Sequence, residues 1–91
     1  MVAAVKRWDV QIYIDEHDDG TTRADARFRT RAGIVLNGVG TARRNPHDAN
    51  VPKIGDELAA ARALSGLAHR LLRATAEDIE DVTHEPVHLD R

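Results

Sequence analysis

The chain has 91 residues, no cysteine and a formal net charge of −2 at pH 7. That length suits one domain, residues 1–91, whose folding buries only about 60–65% of the surface of the unfolded chain. The missing thiols exclude disulfides, thiolate metal sites and thiol catalysis, and the near-neutral charge gives no global pull on nucleic acid.

The N-terminal stretch Met1–Val10 carries too short an apolar run for a secretory signal, and no segment approaches the roughly 20 apolar residues of a membrane span. A soluble protein of the reducing cytoplasm is the expectation. From Trp8 onward, Trp8, Val10, Ile12 and Ile14 alternate with Asp9, Gln11, Tyr13 and Asp15. This is the period of a strand with one buried face. Asp18-Asp19-Gly20 then predicts a tight antiparallel reversal, because Gly accepts the positive φ such a turn needs. Strict alternation resumes over Arg23–Arg29. It sends Thr22, Ala24, Ala26 and Phe28 toward the core and Arg23, Asp25, Arg27 and Arg29 toward water. Ala32-Gly33 turns the chain into a third strand in which Ile34, Leu36, Gly38, Gly40 and Ala42 share a side. Gly weakens a strand unless another backbone must come close, so Gly38 and Gly40 are read as a track beneath a helix.

Residues 44–53 form a loop, since Asn45-Pro46 and Val51-Pro52 disfavour helix before each proline. A helix is expected to start around Ile54-Gly55-Asp56, with Asp56 and Glu57 favourable to its dipole, and to run to about Arg73. Its first apolar stripe, Ile54, Leu58, Ala61, Ser65, Ala68 and Leu72, is assigned to the sheet, with Ala61 and Ala68 over the glycines. A second stripe, Ala60, Leu64, Leu67, Leu71 and Ala74, exceeds what one sheet contact needs. Arg62, His69, Arg70 and Arg73 are left to water. Thr75-Ala-Glu-Asp78 has capping-box spacing, which predicts a separate short C-terminal helical segment carrying Ile79 and Val82 and ending before Pro86. Six acids, Glu77, Asp78, Glu80, Asp81, Glu85 and Asp90, against one arginine make residues 76–91 an acidic C-terminal segment. The predicted architecture is α+β: a three-stranded antiparallel meander with one long helix packed on one face, followed by that short segment.

The run Gly38-Val-Gly-Thr-Ala-Arg-Arg-Asn-Pro-His-Asp, followed by Val51-Pro-Lys-Ile-Gly-Asp-Glu-Leu-Ala-Ala-Ala-Arg-Ala-Leu, resembles the signature of a family of short uncharacterised bacterial proteins. The resemblance covers nearly the whole chain and implies a double-stranded-RNA-binding-domain-like fold. It implies no activity, because fold does not carry function. Duplex-RNA modules straddle phosphates with lysines at the start of the C-terminal helix and reach minor grooves with an N-terminal helix and the first hairpin. Here the helix start holds Asp56 and Glu57, the first hairpin holds Glu16, Asp18 and Asp19, and Met1–Lys6 is too short for a full helix. Each departure disfavours nucleic acid.

Arg43, Arg44 and Lys53 could contact an anion or a nucleic-acid phosphate; the plainer reading is local pairing, Arg43 with an acid such as Asp48. Five histidines raise the question of a metal, but Pro86 between His84 and His88 forbids the ordinary helix that would align them. No metal or other cofactor is expected. There is no nucleophile elbow and no phosphate-binding glycine loop. An enzyme would therefore need an uncatalogued site near His47 and Asp48, and the expectation is a protein without catalytic activity. What remains is association. Leu64, Leu67 and Leu71, assisted by Ile79 and Val82, are the residues expected to join two copies in a homodimer; the rival expectation is that the chain's own C-terminus covers them.

Overall fold

The computed structural model describes residues 1–45, 49 and 51–89. Strands β1 (Gln11–Glu16), β2 (Thr21–Arg29) and β3 (Val35–Arg43) form one antiparallel sheet in the order β1-β2-β3, and helix α1 (Pro52–Thr83) packs across it. The architecture is the expected α+β meander plus long helix. Both reversals have the same build. The His17 N–H donates to Thr21 O at 2.9 Å and the Gly20 N–H to His17 O at 3.1 Å; Thr30 repeats this with Ile34 at 2.8 Å and Gly33 with Thr30 at 3.0 Å. Gly20 and Gly33 sit at φ 87° and 83°, so each three-residue loop ends on the left-handed residue that suits glycine.

Register then decides the faces. Ala24 pairs with Ile14 and Gly40, and Ala26 with Ile12 and Gly38, which puts all of them on the helix side. Thr22, Ala24, Ala26, Phe28, Leu36 and Ala42 are buried as expected. Ile34 precedes β3 and is exposed. Strand β1 departs from the expected buried face: Val10, Ile12 and Ile14 point to the helix side but remain about two-fifths exposed. Helix α1 lies over β2 and β3 and leaves β1 largely uncovered. Trp8 stacks on Phe28 with ring centroids 4.5 Å apart and shields that end of the sheet. On the outer face, Asp25 is buried rather than wet. Arg27 pairs with it at 3.0 Å, Asn37 Nδ2 donates to it at 3.3 Å, and the Arg27 guanidinium lies over the Tyr13 ring.

The helix differs from expectation at both ends. Val51 is extended, with φ −117° and ψ 93°, and Pro52 occupies the first turn, where its missing N–H would have had no intrahelical partner anyway. The start therefore precedes Ile54, and no acid stands in the first turn. At the other end α1 is a single 32-residue helix, about 48 Å long at 1.5 Å per residue. No separate C-terminal helical segment exists among the described residues. Thr75 does not cap: its hydroxyl donates to Leu71 O at 2.8 Å within the helix. With no Gly or Pro between Gly66 and Pro86, nothing interrupts the ladder until His84, left-handed at φ 60°, whose N–H closes on Glu80 O at 2.7 Å. The chain then folds back. The Val87 N–H donates to Glu80 Oε1 at 2.9 Å, and Val87 and Leu89 line a shallow groove with Leu72 and Ala76.

Candidate association interface

The face that α1 turns to the sheet is decided by Gly38 and Gly40. A Cβ on Gly38 would strike the backbone of Ala63 and Leu67 and come within 2.6 Å of the Gly66 carbonyl carbon; one on Gly40 would strike the backbone of Ala59 and Ala63 and the Arg62 Cβ at 2.6 Å. Helix and strand backbones thus touch. Only small residues fit between them, so Ala59, Ala63 and Gly66 face the sheet, with Leu67 beside them. The expected opposing residues, Ala61 and Ala68, are not there. Arg62, expected on the wet side, reaches over the edge of β3 and donates to Thr41 O at 2.7 Å.

This rotation redistributes the residues assigned to self-association. Leu67 is 3% exposed and belongs to the chain's own core; Leu71 packs against that core, half-buried. Neither forms the open surface expected of them, because the tight approach pulls the second stripe down beside the sheet. Leu64 remains 43% exposed and Val82 80%, with Ile79 half-buried. Ile79 and Val82 line a shallow open groove with Thr75, Asp78 and Thr83. The first stripe, expected against the sheet, is instead turned to solvent. Ile54, Leu58 and Ala61 are exposed, and Ser65, Ala68 and Leu72 half-buried. The stripe does not end at Leu72: spacings of three and four continue through Thr75, Ile79 and Val82 along the whole helix. That is a heptad seam. The folded-back tail borders it at Leu72 and Ala76 without lying on Leu64.

The cationic candidates do not converge. Arg43 pairs in register with Thr21 at the end of the first hairpin, and Arg44 packs toward Gly20 in the same hairpin, donating its N–H to Gly20 O at 3.0 Å. Asp19 there has its carboxyl held below the ordinary carboxylate range, chiefly by the Thr21 backbone N–H and hydroxyl, with Arg43 adding a smaller attraction. Lys53 pairs with Glu57 at 3.7 Å one turn along the helix. Arg43 and Lys53 therefore each have an acid close by. His47 and Asp48 lie outside the described residues. Among the described residues no three His, Asp or Glu side chains converge to hold a metal, and no helix is long and apolar enough to cross a membrane.

The comparisons with known proteins agree with the architecture. The chain is 55% identical over 85 residues to the uncharacterised protein Mb1767 of Mycobacterium bovis, spanning 93% of this chain and 88% of that one. It is 51% identical over 82 residues to the uncharacterised protein Rv2632c of Mycobacterium tuberculosis, spanning 90% and 86%. The crystal structure of Rv2632c matches with a TM-score of 0.80 at 49% identity, over 91% of this chain and 96% of the other. With residues 6–88 matching the family description Rv2632c-like, and with that same sheet and helix preserved, the chain belongs to the Rv2632c-like family.

Proposed function

We propose that the protein is a small, non-enzymatic association module of the cytoplasm that binds a second copy of itself through α1. The observation that carries this reading is the solvent-facing apolar seam on the helix, set against a core that is very thin. Among the described residues, five of the eight buried core residues are alanines, and Phe28, Leu36 and Leu67 are the large ones. A core of that kind contributes little burial energy per residue, so covering the seam supplies what the interior lacks. The β-β-β-α order is that of the core of double-stranded-RNA-binding-domain-like folds, here with no helix before β1. RNA binding in the manner of those domains is not favoured, because Lys53 pairs with Glu57 and Arg43 lies near Asp19.

Light scattering or sedimentation tests the reading. The native chain is expected at twice its monomer mass. Leu58→Glu with Val82→Glu is expected at monomer mass with unchanged circular dichroism, since both side chains are exposed. A native chain that stays monomeric at every working concentration would overturn it. Duplex RNA retained at physiological salt would instead move the function to the basic groups.

A further inference from the structure

Resting on that reading, we infer that the two α1 helices pair antiparallel about a two-fold axis between Gly66 and Leu67, with the sheets on the two outer sides. The distribution of side-chain size along the seam and the helix dipole carry the orientation, and the placement of the sheets permits it. First, the seam is self-complementary only when reversed. Large residues, Ile54 and Leu58 at one end and Ile79 and Val82 at the other, flank a centre of Ala61, Ser65 and Ala68. Antiparallel pairing sets Ile54 against the partner's Ile79, Ala61 against its Leu72, and Ser65 against its Ala68, so bulky positions meet small or matching ones. Parallel pairing would stack Ala61, Ser65 and Ala68 on their own copies and leave a gap that straight helices cannot close.

Second, the helix dipoles oppose each other only in the antiparallel pair. Acids stand at both ends of α1, Asp56 and Glu57 as well as Glu77, Asp78, Glu80 and Asp81, so charge does not decide the orientation. Third, the seam lies opposite Ala59, Ala63 and Leu67, the residues buried against the sheet, so the two sheets point away from each other and do not collide. Leu64, left 43% exposed by the chain itself, then lies on the flank of the seam against the partner helix.

There is surface to spare for such a contact. The accessible area is 7369 Å², against about 5,200 Å² for a folded monomer of this mass, and a standard interface takes only about 800 Å² from each partner.

The Cys-free chain makes the test direct. Ile54→Cys and Ile79→Cys proteins are prepared separately, mixed, allowed to exchange and treated with a short bismaleimide, with mass measured in parallel. Antiparallel pairing is expected to link residue 54 of one chain to residue 79 of the other as the major product. Each variant alone should stay at least tenfold less linked, because the two copies of residue 54 would then lie about 37 Å apart along the axis. Efficient 54-to-54 linkage in the single variant would overturn the orientation while leaving self-association standing. Dimer mass with no linkage in any mixture would show that another face is used. Monomer mass throughout would remove the underlying reading itself.

Discussion

Gly38 and Gly40 do more to shape this molecule than any large side chain. Each occupies a position where an added methyl would collide with helix backbone, and backbone cannot swing aside as a side chain can. Gly38→Ala is therefore expected to lower stability by about 1–3 kcal/mol, the usual range for overpacking, and Gly40→Val by at least as much. Gly33 is the control. Nothing lies within 4 Å of a Cβ there, and its φ of 83° is the only obstacle, so Gly33→Ala should cost about 1–2 kcal/mol through backbone strain alone. Urea midpoints distinguish the cases, since only the sheet glycines should also perturb the packing signal of Trp8 on Phe28. An unchanged midpoint for Gly40→Val would refute the close approach.

Asp25 gives a second prediction. Its carboxyl is held below the ordinary range by the hydrogen bond from Arg27 first and from Asn37 next, against the opposing effect of burial. A carboxyl depressed in the folded state adds stability that is complete above its unfolded value and is lost as pH falls through the folded one. Asp25→Asn should accordingly shallow the loss of stability below about pH 4, with Asp19, likewise held below the ordinary range, still contributing to the slope. An identical acid limb in the variant would show that this pair contributes nothing to folding.

Helix α1 marks where sequence and structure part. The strands were readable because period-2 alternation and the two turn glycines are local signals, and β2 and β3 carry the expected faces, except that Ile34 falls outside β3 and is exposed and Asp25 is buried on the outer face. The rotation of the helix was not readable from its own pattern, since two apolar stripes compete and Leu and Ile outweigh Ala in any hydrophobic count. The deciding information sits on the other element: glycines at 38 and 40 admit only Ala59, Ala63 and Gly66. Matching small residues to small residues across elements would have found it. The false stop at Thr75 arose because capping-box spacing also occurs inside helices, where Thr bonds back to the preceding turn. Of the proposed interface, Leu64, Ile79 and Val82 survive as surface, whereas Leu67 becomes core. Leu67→Ala should therefore cost about 2–5 kcal/mol, like other buried leucines, while Val82→Ala should leave monomer stability almost unchanged. Equal effects of the two substitutions would contradict the rotation of α1 described above.

The molecule is long for its size. Its extents are 53 × 32 × 26 Å and its radius of gyration is 17.0 Å, against about 12 Å for a compact domain of this length. The elongation comes from α1, whose last turns carry Ile79 and Val82 beyond Leu71 and Ala74, the last residues packed on the core. Within one chain the folded-back tail covers only the side of that extension at Ala76 and Glu80, and Val82 stays 80% exposed. In an antiparallel pair, the projecting end of each helix lies along the first turns of the other, beside Ile54. The consequence is thermodynamic. If only the pair buries the seam, folding and association are linked, and apparent stability must rise with protein concentration by mass action. The thermal midpoint of the native chain should climb by several degrees over a hundredfold increase in concentration. That of Leu58→Glu with Val82→Glu should be lower and independent of concentration. Amide exchange adds the local view: Thr75–Thr83 should be protected at high concentration and exchange freely on dilution, while Ala59–Leu67, held by the sheet, should change far less. A concentration-independent midpoint together with full protection of Thr75–Thr83 on dilution would mean that the overhanging turns are stable by themselves, and the extended helix would then need another explanation.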